Sequence, residues 1–573
     1  MCAIIGAVGK LPDKKIFEKA RDTMSHRGPD GVGLYYNQEE GVALGHRRLS
    51  IIDLSDAGAQ PFSSNDGRYK IIFNGEIYNY LELKEELKER YDFKTKTDTE
   101  ALLAAYIVWG KDALNKLNGM FAFVIWDTKE RKLFAARDRL GIKPFFFAPQ
   151  GDGFYFASEI KGILPLITKK PKANEKIIRK YLFLGYYDHS SETFFEGIFS
   201  LPPASFFVWE GRFAPPQKYW DISSSSVENK NVEERFEELL TDSIRLHFRS
   251  DVPVGVNLSS GVDSNSLLYY SKQLGYKPKM FSMCVPESDA HNECSIIAPT
   301  LSPEDKSKWY TCDIVPEDFE SSVQKMIKTQ DQPFGGIPTI AYAKLNELSK
   351  EENVTVLLEG QGIDELLAGY AYYVPELLQD SKGGLSDTDK SQDLSQEIEQ
   401  DILKRVGPSE NISFQTPFKS RLLNAQYRDL MHTKLPRVLR FNDHVSMAYG
   451  RELRVPYLDY RLVEFLFHLP VKYKIDGGKQ KVLLRNVMKK YIPEIINQKP
   501  KKAFGAIQTE WFRKYYKEAI LKILNSDSFK KRPYWNHEKL ETRVQEFFEG
   551  KGDNSFFIWQ AINLEFWFRE FID

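Results

Sequence analysis

The first part of the chain carries short apolar runs in which β-branched and aromatic residues lie between turn residues, a pattern typical of strands. These runs cover 4–8, 41–44, 69–73, 121–126, 132–136 and 154–156. Helical spacing of apolar positions occurs at 16–23, 80–90 and 100–109. A succession of strands with few helices predicts an α+β layered domain over roughly the first 200 residues.

The pattern changes beyond the Pro202-Pro203 and Pro215-Pro216 pairs, where the serine run 223–226 is typical of a linker. Helical patterns then alternate with short apolar strands. These strands cover 252–258, 280–285 and 354–358. The alternation predicts an α/β core with a parallel sheet.

We therefore expect two domains, over 2–205 and 231–573, joined by a linker over 206–230. A chain of 573 residues is too long for one hydrophobic core, which supports the division. The polar, Gly/Ser/Asp-rich stretch 380–400 is expected to form a surface excursion.

Composition changes this picture little. The chain is 42% apolar with a formal net charge of −1, so no basic excess points to nucleic acid or to an anionic membrane. No apolar run reaches the ~18–20 residues that span a bilayer. The apolar start, 1–8, is short and has no preceding positive charge, so we expect a buried first strand rather than a signal peptide.

Cysteine is rare in this chain. Cys2, Cys284, Cys294 and Cys312 are too few and too scattered for a disulfide scaffold or a zinc site. A reducing cytosol fits this usage, so a cytoplasmic protein is expected, in which Cys2 stays a free thiol.

Cys2 is the first candidate catalytic residue along the chain. A cysteine there is a weak signal alone, because chance places one at a given position about once in 100 chains. Residue 2 is small, so the initiator Met1 can be removed. The thiol of Cys2 then lies beside a free α-amine of ordinary pKa ~8. That amine can serve as an intramolecular base, without a separate histidine.

Four further motifs follow Cys2 in order. They are His26-Arg27-Gly28-Pro29-Asp30-Gly31, Gly45-His46-Arg47-Arg48-Leu49-Ser50-Ile51-Ile52-Asp53, Phe73-Asn74-Gly75-Glu76-Ile77-Tyr78-Asn79 and Thr97-Asp98-Thr99-Glu100. With this ordered set, the sequence resembles the class II glutamine amidotransferase domain over roughly residues 2–200. The resemblance implies an N-terminal nucleophile hydrolase-type sandwich with α-β-β-α layers.

The resemblance also implies catalytic roles. Cys2 is the nucleophile that attacks the side-chain amide of glutamine. The Asn74 side chain and the Gly75 N–H form the oxyanion hole, where negative charge develops in the tetrahedral intermediate.

Further residues bind glutamine by the same resemblance. Arg48 pairs with the α-carboxylate, which suits its planar fork, while Glu76 and Asp98 receive the α-ammonium and Asn74 completes the pocket. Each residue has a simpler alternative, since an Asn-Gly pair is most often a hairpin turn and a lone Arg or Asp is most often a solvated charge. Agreement of several independent signals favours the glutaminase site.

A second candidate site begins where the apolar run 252–258 enters Ser259-Ser260-Gly261-Val262-Asp263-Ser264 and a helical pattern follows. Hydroxyls, small residues and helix N-terminal amides suit phosphate binding. No Gly-Lys-Ser/Thr is present, so this is not a Walker loop. A serine-rich turn after a strand is the simpler alternative. The loop resembles the pyrophosphatase loop of enzymes that cleave ATP to AMP and pyrophosphate.

Another strand, loop and helix follow at Leu357–Tyr370, where Asp364 supplies a second carboxylate. Three more motifs lie downstream, at 440–448, 452–459 and 481–485. Together the two halves resemble the glutamine-hydrolysing asparagine synthetase family across essentially the whole chain. The resemblance implies an α/β parallel-sheet ATP-pyrophosphatase domain with many helices. It also implies that an aspartate acyl-adenylate receives ammonia through an internal tunnel.

The same resemblance implies ATP and Mg²⁺ as cofactors. It assigns ATP binding to Leu258, Ser259, Gly261, Asp263, Ser264, Met283, Glu359 and Gly360, and metal binding to Asp263 and Asp364. Oxygen ligands of this kind suit a hard cation. Lys481 would stabilise the adenylation transition state. The alternative for Lys481 is a solvated helix lysine, like its neighbours Lys474, Lys479 and Lys489.

The sequence departs from the family's pattern on the acceptor side. Gln361 stands where aspartate-specific members usually carry Glu, and a neutral amide is no general base. The segment Gly335-Gly336-Ile337-Pro338 replaces a region with a Thr and an Arg in well-studied aspartate enzymes. An aspartate acceptor needs a cation for its second carboxylate, and the sequence alone identifies none.

Other functions remain open at this stage. The acceptor is aspartate or another carboxylate, such as a sugar acid. Ammonia transfer to a sugar phosphate or phosphoribosyl acceptor is disfavoured, because that chemistry does not use an adenylating loop. A catalytically dead scaffold is disfavoured because Cys2, Asp263 and Asp364 are all present. The oligomeric state stays open, with a homodimer among the alternatives.

Overall fold

The computed structural model describes residues 2–224, 230–286, 292–381, 414–499 and 506–573. Most of the predicted surface excursion, from 382 onward, lies outside these described residues, as do 225–229 of the predicted linker. No helix in the described ranges is both long and apolar enough to cross a membrane.

Two antiparallel sheets of six strands each form the N-terminal part. The strands are β1 (Ala3–Gly9), β2 (Gly31–Asn37), β3 (Val42–Arg48), β4 (Phe62–Ser63), β5 (Tyr69–Ile77), β6 (Gly119–Asp127), β7 (Lys132–Arg137), β8 (Phe146–Gln150), β9 (Gly153–Ala157), β10 (Phe199–Ser200), β11 (Ser205–Trp209) and β12 (Gln217–Lys218). The strand orders are β10-β8-β9-β1-β3-β2 and β12-β11-β7-β6-β5-β4.

Successive side chains of a strand point to opposite faces of its sheet, so each sheet has apolar residues both between the sheets and on its outer face. Ile4 on β1 packs between the sheets with Ile72 on β5, while its neighbour Ile5 faces the opposite side of the sheet. Helix α1 (Lys14–Asp22) covers that outer face, and helices α2 (Tyr80–Leu87) and α3 (Asp98–Trp109) cover the outer face of the second sheet. The predicted α-β-β-α sandwich is confirmed.

The second sheet extends beyond the predicted domain boundary. Strand β11 pairs with β7, and β12 pairs with β11, inside the range predicted as a linker. Hydrogen bonding of the second sheet therefore continues to Lys218, within the range 206–230 predicted as a linker. The signal for this strand is the continuous run of aromatic and β-branched residues in Ser205–Trp209.

The C-terminal part is built on a parallel sheet of five strands, as predicted. Its strands are β13 (Val254–Asn257), β14 (Met280–Cys284), β15 (Trp309–Asp313), β16 (Val356–Leu358) and β17 (Glu452–Arg454), in the order β15-β14-β13-β16-β17. The carboxyl ends of β13 and β16 are neighbours, so the two Gly-rich loops that follow them meet at one edge.

Many helices surround this sheet. Those of seven residues or more, continuing from the first domain, are α4 (Glu175–Leu184), α5 (Val232–His247), α6 (Val262–Gln273), α7 (Phe319–Gln330), α8 (Ile337–Glu351), α9 (Tyr373–Ser381), α10 (Arg421–Met431), α11 (Lys434–Ala448), α12 (Tyr460–Phe467), α13 (Val482–Met488), α14 (Ala506–Lys514), α15 (Lys517–Leu524), α16 (His537–Phe548) and α17 (Phe556–Phe571). Apolar side chains of these helices belong to two large buried clusters, and the first cluster continues into the N-terminal part of the protein.

Cys284 and Cys294 form a disulfide, whereas Cys2 and Cys312 are free. The bridge spans only ten residues, from the end of β14 to the next helical turn. The expectation that there is no disulfide scaffold is therefore qualified by this one local bridge.

Candidate active sites

The first candidate site lies where β1 begins, where β3 and β5 end and where α3 begins. Cys2 immediately precedes β1, Arg48 ends β3, and Asp98 is the first residue of α3. The Thr97 hydroxyl caps this helix by accepting a hydrogen bond from the Glu100 N–H, which fixes the helix start. Cys2, Arg48, Gly75, Glu76 and Asp98 line one small cavity.

Asn74 is the residue in closest polar contact with Cys2. The Cys2 nitrogen donates a hydrogen bond to Asn74 Oδ1 at 3.1 Å, and this nitrogen is the α-amine once Met1 is removed. The other end of the amide, Asn74 Nδ2, is buried with no hydrogen-bond partner among the described residues. An unsatisfied buried donor beside a thiol suits an oxyanion.

Burial sets the acidity of the nucleophile. The pKa of the Cys2 thiol is raised, chiefly by desolvation, and the nearby N-terminal charge opposes that shift. The thiol is therefore protonated at neutral pH, so its proposed role as nucleophile requires that the adjacent amine remove the proton.

Gly75 is constrained by its neighbour strand. A Cβ at this position would lie 2.1 Å from the Met120 carbonyl oxygen, so no larger residue fits without moving β6. The close approach keeps the Gly75 backbone at the wall of the Cys2 cavity.

The predicted glutamine-binding charges have protein partners in this conformation. The Arg48 guanidinium donates to the carbonyl oxygens of Asp53 and, at 2.7 Å, Ser55, and so holds the loop that closes the cavity. Asp98 Oδ2 accepts a hydrogen bond from the Ile77 N–H at 3.0 Å. The cavity volume is about 30 Å³, so the pocket is closed around roughly one water.

Glu76 is joined to the C-terminal half by an ion pair that the motifs did not predict. Its Oε2 lies 2.9 Å from Arg454 Nη2, and both side chains are buried. Arg454 also pairs with Glu452 at 2.6 Å. Arg454 stands in one of the downstream motifs, but nothing local indicates its partner across the domain boundary.

The second site lies at the carboxyl ends of β13 and β16. The loop after β13 is folded by its own hydroxyls, since the Ser259 N–H donates to Ser264 Oγ at 3.0 Å. Helix α6 begins after Gly261 with no side-chain cap, so its N-terminal end is open toward the cavity that Ser259, Asp263 and Ser264 line. Leu258 lies just before the loop, in the same cavity wall.

Lys481 is the centre of this site. Its Nζ lies 2.7 Å from Asp263 Oδ2 and 2.6 Å from Asp364 Oδ1, and its side chain is only 4% exposed. The alternative of a solvated surface lysine is therefore wrong. Lys481 has φ 56°, a left-handed backbone conformation that is unfavourable for a non-glycine residue.

Two glycines make this convergence possible. A Cβ on Gly369 would lie 2.0 Å from Asp364 Oδ1 and 2.4 Å from Lys481 Cε. A Cβ on Gly360 would lie 3.0 Å from Asp263 Cβ. Gly369 had no assigned role in the sequence, because only the fold brings Lys481 to it.

A cavity of about 570 Å³ opens beside these charges. The predicted Met283, Glu359, Gly360 and Gln361 line it. Lys499 also lines it and contacts the Ser260 hydroxyl, which adds a cation beside the phosphate-type loop. The lysine-rich run that starts at Lys499 was the available sequence signal.

On its other side the same cavity is lined by Gly335, Thr339, Asn442 and Arg437. Arg437 is a candidate for the acceptor-side cation that the sequence alone did not identify. Tyr187 from the N-terminal part lines this side as well, and its ring centroid lies 5.9 Å from the Arg437 guanidinium carbon.

The N-terminal and C-terminal parts of the chain match two different protein families. Residues 1–220 match the profile of the glutamine amidotransferase domain, and residues 235–569 match the profile of asparagine synthase. Asparagine synthetase [glutamine-hydrolyzing] 1 of Bacillus subtilis is 30% identical, over 99% of this chain and 97% of that protein. Asparagine synthetase [glutamine-hydrolyzing] 3 of the same organism is 28% identical, over 88% and 87%.

A fungal relative carries a different name. Amidase chry2 of Gibberella zeae is 26% identical, over 86% of this chain and 85% of that protein. The resemblance stated from the sequence is confirmed by the matched profiles and by the near-complete coverage of the bacterial relatives. The chain belongs to the asparagine synthase family and is a glutamine-hydrolysing amidotransferase, a carbon–nitrogen ligase with glutamine as nitrogen donor.

Proposed function

We propose that this protein is an asparagine synthetase that hydrolyses glutamine at Cys2 and passes the ammonia to an acyl-adenylate of aspartate. The products are glutamate, asparagine, AMP and pyrophosphate. The observation that carries the proposal is Lys481 held between Asp263 and Asp364, two carboxylates that line a cavity large enough for a nucleotide. That arrangement supports phosphate chemistry rather than simple amide hydrolysis.

In the glutaminase half, Cys2 attacks the side-chain amide carbon of glutamine after its thiol proton passes to the α-amine. The oxyanion that forms accepts hydrogen bonds from Asn74 Nδ2 and the Gly75 N–H. The buried, partnerless state of Asn74 Nδ2 supports this role. Water then releases glutamate from the thioester.

Binding of glutamine requires the pocket to open. Arg48 exchanges its loop carbonyls for the substrate α-carboxylate, and Glu76 and Asp98 receive the α-ammonium. The small cavity and the Arg48 contacts within the loop support a loop movement on binding.

In the synthetase half, ATP lies along Leu258, Ser259, Gly261, Ser264, Met283 and the backbone of the Glu359–Gly360 turn, whose Glu359 side chain is directed away to Tyr342 and Asn442. Asp263 and Asp364 fit Mg²⁺, because two carboxylates converge there within reach of one cation. When bound, Mg²⁺ neutralises phosphate charge. Lys481 moves from its carboxylate partners to the phosphates and stabilises the charge that develops as pyrophosphate leaves.

Ammonia passes between the halves inside the protein. Leu49, Ile51 and Ile52 line the Cys2 cavity, and they pack with Val356 on β16 and with Met447. Strand β16 ends beside Glu359, which lines the synthetase cavity, and this continuity along β16 supports the proposed path. We propose a glutaminase domain over 2–218 and a synthetase domain from 231, in a cytoplasmic enzyme.

The acceptor has one alternative with support of its own. Gln361 and the Gly335–Pro338 segment differ from the aspartate-specific pattern, which favours a different carboxylate, such as a sugar acid. Arg437 at the cavity suits a second carboxylate and favours aspartate.

Pyrophosphate release tests the function. The enzyme is supplied with ATP, Mg²⁺ and glutamine, and release is measured with aspartate and with a panel of other carboxylates, sugar acids included. Stimulation by aspartate with asparagine formed supports the synthetase. Stimulation by another carboxylate alone rejects aspartate and keeps the chemistry, and no stimulation by any carboxylate rejects the proposal.

A further inference from the structure

Glu359 is a buried carboxylate in the synthetase cavity that is held by neutral groups. Its Oε1 accepts hydrogen bonds from Asn257 Nδ2, at 2.6 Å, and from the Tyr342 hydroxyl. Its Oε2 accepts from Asn442 Nδ2 at 3.3 Å. Glu359 is 5% exposed, so these donors replace water around its charge.

The other carboxylates of this cavity are differently occupied. Asp263 and Asp364 share Lys481, and Glu293 lies 3.6 Å from Lys499 Nζ. Among the residues that the structure describes, Glu359 is the cavity-lining carboxylate without an ion pair. A carboxylate without a cation is the better proton acceptor, since a cation lowers its basicity.

The Glu359 side chain points away from the Asp263 end of the cavity, where the phosphates of ATP are proposed to bind. Gly360 packs on Asp263, whereas the Glu359 side chain points to Tyr342 on α8 and Asn442 on α11. Gly335, just before α8, and Thr339, in its first turn, line the same cavity. Glu359 therefore lies between the proposed nucleotide and the proposed acceptor.

Amide formation from ammonia requires a proton acceptor there. As the nitrogen bonds to the acyl carbon, the carbon–oxygen bond to AMP breaks and AMP leaves with that electron pair. The nitrogen must lose one proton to become a neutral amide. Gln361 cannot accept it, because a carboxamide is not basic at neutral pH.

We propose that Glu359 is the general base of the amide-forming step and that Tyr342 positions its carboxylate. The inference rests on the proposed adenylating function. The proton passes from the attacking nitrogen to Glu359 and later to solvent. Burial raises the pKa of Glu359, and hydrogen bonds from Tyr342, Asn257, Asn442 and Gln361 oppose that shift. A base with a raised pKa is better matched to neutral pH.

The test separates adenylation from amide formation. The carboxylate that supports ATP–pyrophosphate exchange in the wild-type enzyme is used with ammonium chloride as nitrogen donor. Glu359→Gln is expected to keep exchange within about threefold, while amide formation falls by about 100-fold or more. Hydroxylamine, a weakly basic nucleophile, is expected to trap the adenylate in this variant at close to the wild-type rate.

Further variants sharpen the assignment. Glu359→Gln combined with Gln361→Glu moves the carboxylate two positions along the same turn and is expected to recover at least tenfold of the loss. Tyr342→Phe is expected to slow amide formation less than Glu359→Gln, with exchange retained. Glu351→Gln, at the exposed end of the same helix α8, is the matched control and is expected to change neither step.

Two results overturn the inference. One is amide formation from ammonium chloride at the wild-type rate in Glu359→Gln. The other is loss of exchange together with amide formation while glutaminase activity persists, which assigns Glu359 to substrate binding. If glutaminase activity is lost too, Glu359→Asp is tested in the same way. Failure of the proposed function is distinct, because it appears as absent exchange in the wild-type enzyme with every carboxylate.

Discussion

At the scale of single residues, the two sites use burial in opposite ways. At the glutaminase site burial raises the pKa of the Cys2 thiol and leaves Asn74 Nδ2 without a partner, so the site is prepared for a charge that forms only during reaction. At the synthetase site the charges already exist, and Lys481 compensates Asp263 and Asp364 until substrate arrives. A variant at one site is therefore expected to lose the activity of that site and to keep the activity of the other.

Replacement of Cys2 by Ala should abolish glutamine-dependent amide formation and leave ammonium-dependent formation at the wild-type rate. The thiol is the proposed nucleophile, whereas ammonia from solution bypasses it. Both rates are measured as amide product. Cys312→Ala alters the other free cysteine and should retain both activities. Continued use of glutamine by Cys2→Ala would show that another residue is the nucleophile.

Binding of glutamine should weaken as pH falls through about 6. Burial raises the pKa of Asp98 to about 6, so its carboxyl is ionised above that pH and neutral below it. Burial also raises the pKa of Glu76 above its usual range. A neutral acid cannot pair with the α-ammonium, so KM for glutamine should rise about tenfold or more from pH 7 to pH 5.

The control for this pH effect is Asp98→Asn. It should have a high KM for glutamine already at pH 7 and a smaller rise on acidification, while KM for ATP stays unchanged. A KM for glutamine that is flat between pH 7 and pH 5 in the wild-type enzyme would contradict the role of Asp98.

At the scale of elements, sequence patterns predicted what lies within one segment. The run 69–73 is the first part of β5, and the helical pattern 100–109 forms most of α3. Strand β2 was not predicted, because Gly31 and Gly33 weaken its strand pattern and it lies half-buried at a sheet edge.

The same limit applies to the residues of the two candidate sites. Residues of one motif, such as Asn74 and Gly75, could be assigned roles from the sequence alone. Tyr342, Arg437 and Arg454 could not, because they come from separate helices and strands that meet only in the folded protein. Periodicity reports which face of an element is buried, and it does not report what packs there.

Gly369 gives a test at this scale, since it determines how closely its turn approaches Lys481. In Gly369→Ala the added Cβ would overlap Asp364 Oδ1 and Lys481 Cε, so both groups must move. Carboxylate-dependent pyrophosphate release should fall by about 100-fold, because a displacement of about 1 Å is costly in a catalytic site. Glutaminase activity, measured as glutamate release, should persist.

The matched control is Gly552→Ala. No atom lies within 4 Å of a Cβ placed there, so neither activity should change. Wild-type pyrophosphate release in Gly369→Ala would show that the spacing of Asp364 and Lys481 is not needed for adenylation.

At the scale of the whole molecule, buried charges join the two halves. Arg27, from an N-terminal motif, donates to the Cys2 carbonyl oxygen at 3.2 Å and lies 2.8 Å from both Glu159 and Asp443. Asp443 stands on α11 next to Asn442, which contacts Glu359. The Arg454–Glu76 pair makes a second link. The proposed nucleophile and the proposed acceptor site therefore share one continuous network of contacts.

Loss of a contact in this network should lower the free energy of unfolding and weaken the coupling of glutamine hydrolysis to AMP formation. Asp443→Asn removes one charge from the Arg27–Asp443 pair, both of whose side chains are at most 4% exposed, and leaves the buried Arg27 undercompensated. The free energy of unfolding should fall by about 3–5 kcal/mol, measured by urea titration. Asp553→Asn, at a pair whose acid is 88% exposed, should change it by less than about 0.5 kcal/mol.

The same variant tests whether the halves act together. If the Arg27–Asp443 pair aligns the Cys2 cavity with the synthetase cavity, its loss lets ammonia escape before it meets the adenylate. Asp443→Asn should then release more than one glutamate for each AMP, with both products measured in one reaction at a temperature where the variant is folded. A ratio equal to that of the wild-type enzyme would mean that the pair stabilises the interface without aligning the two cavities.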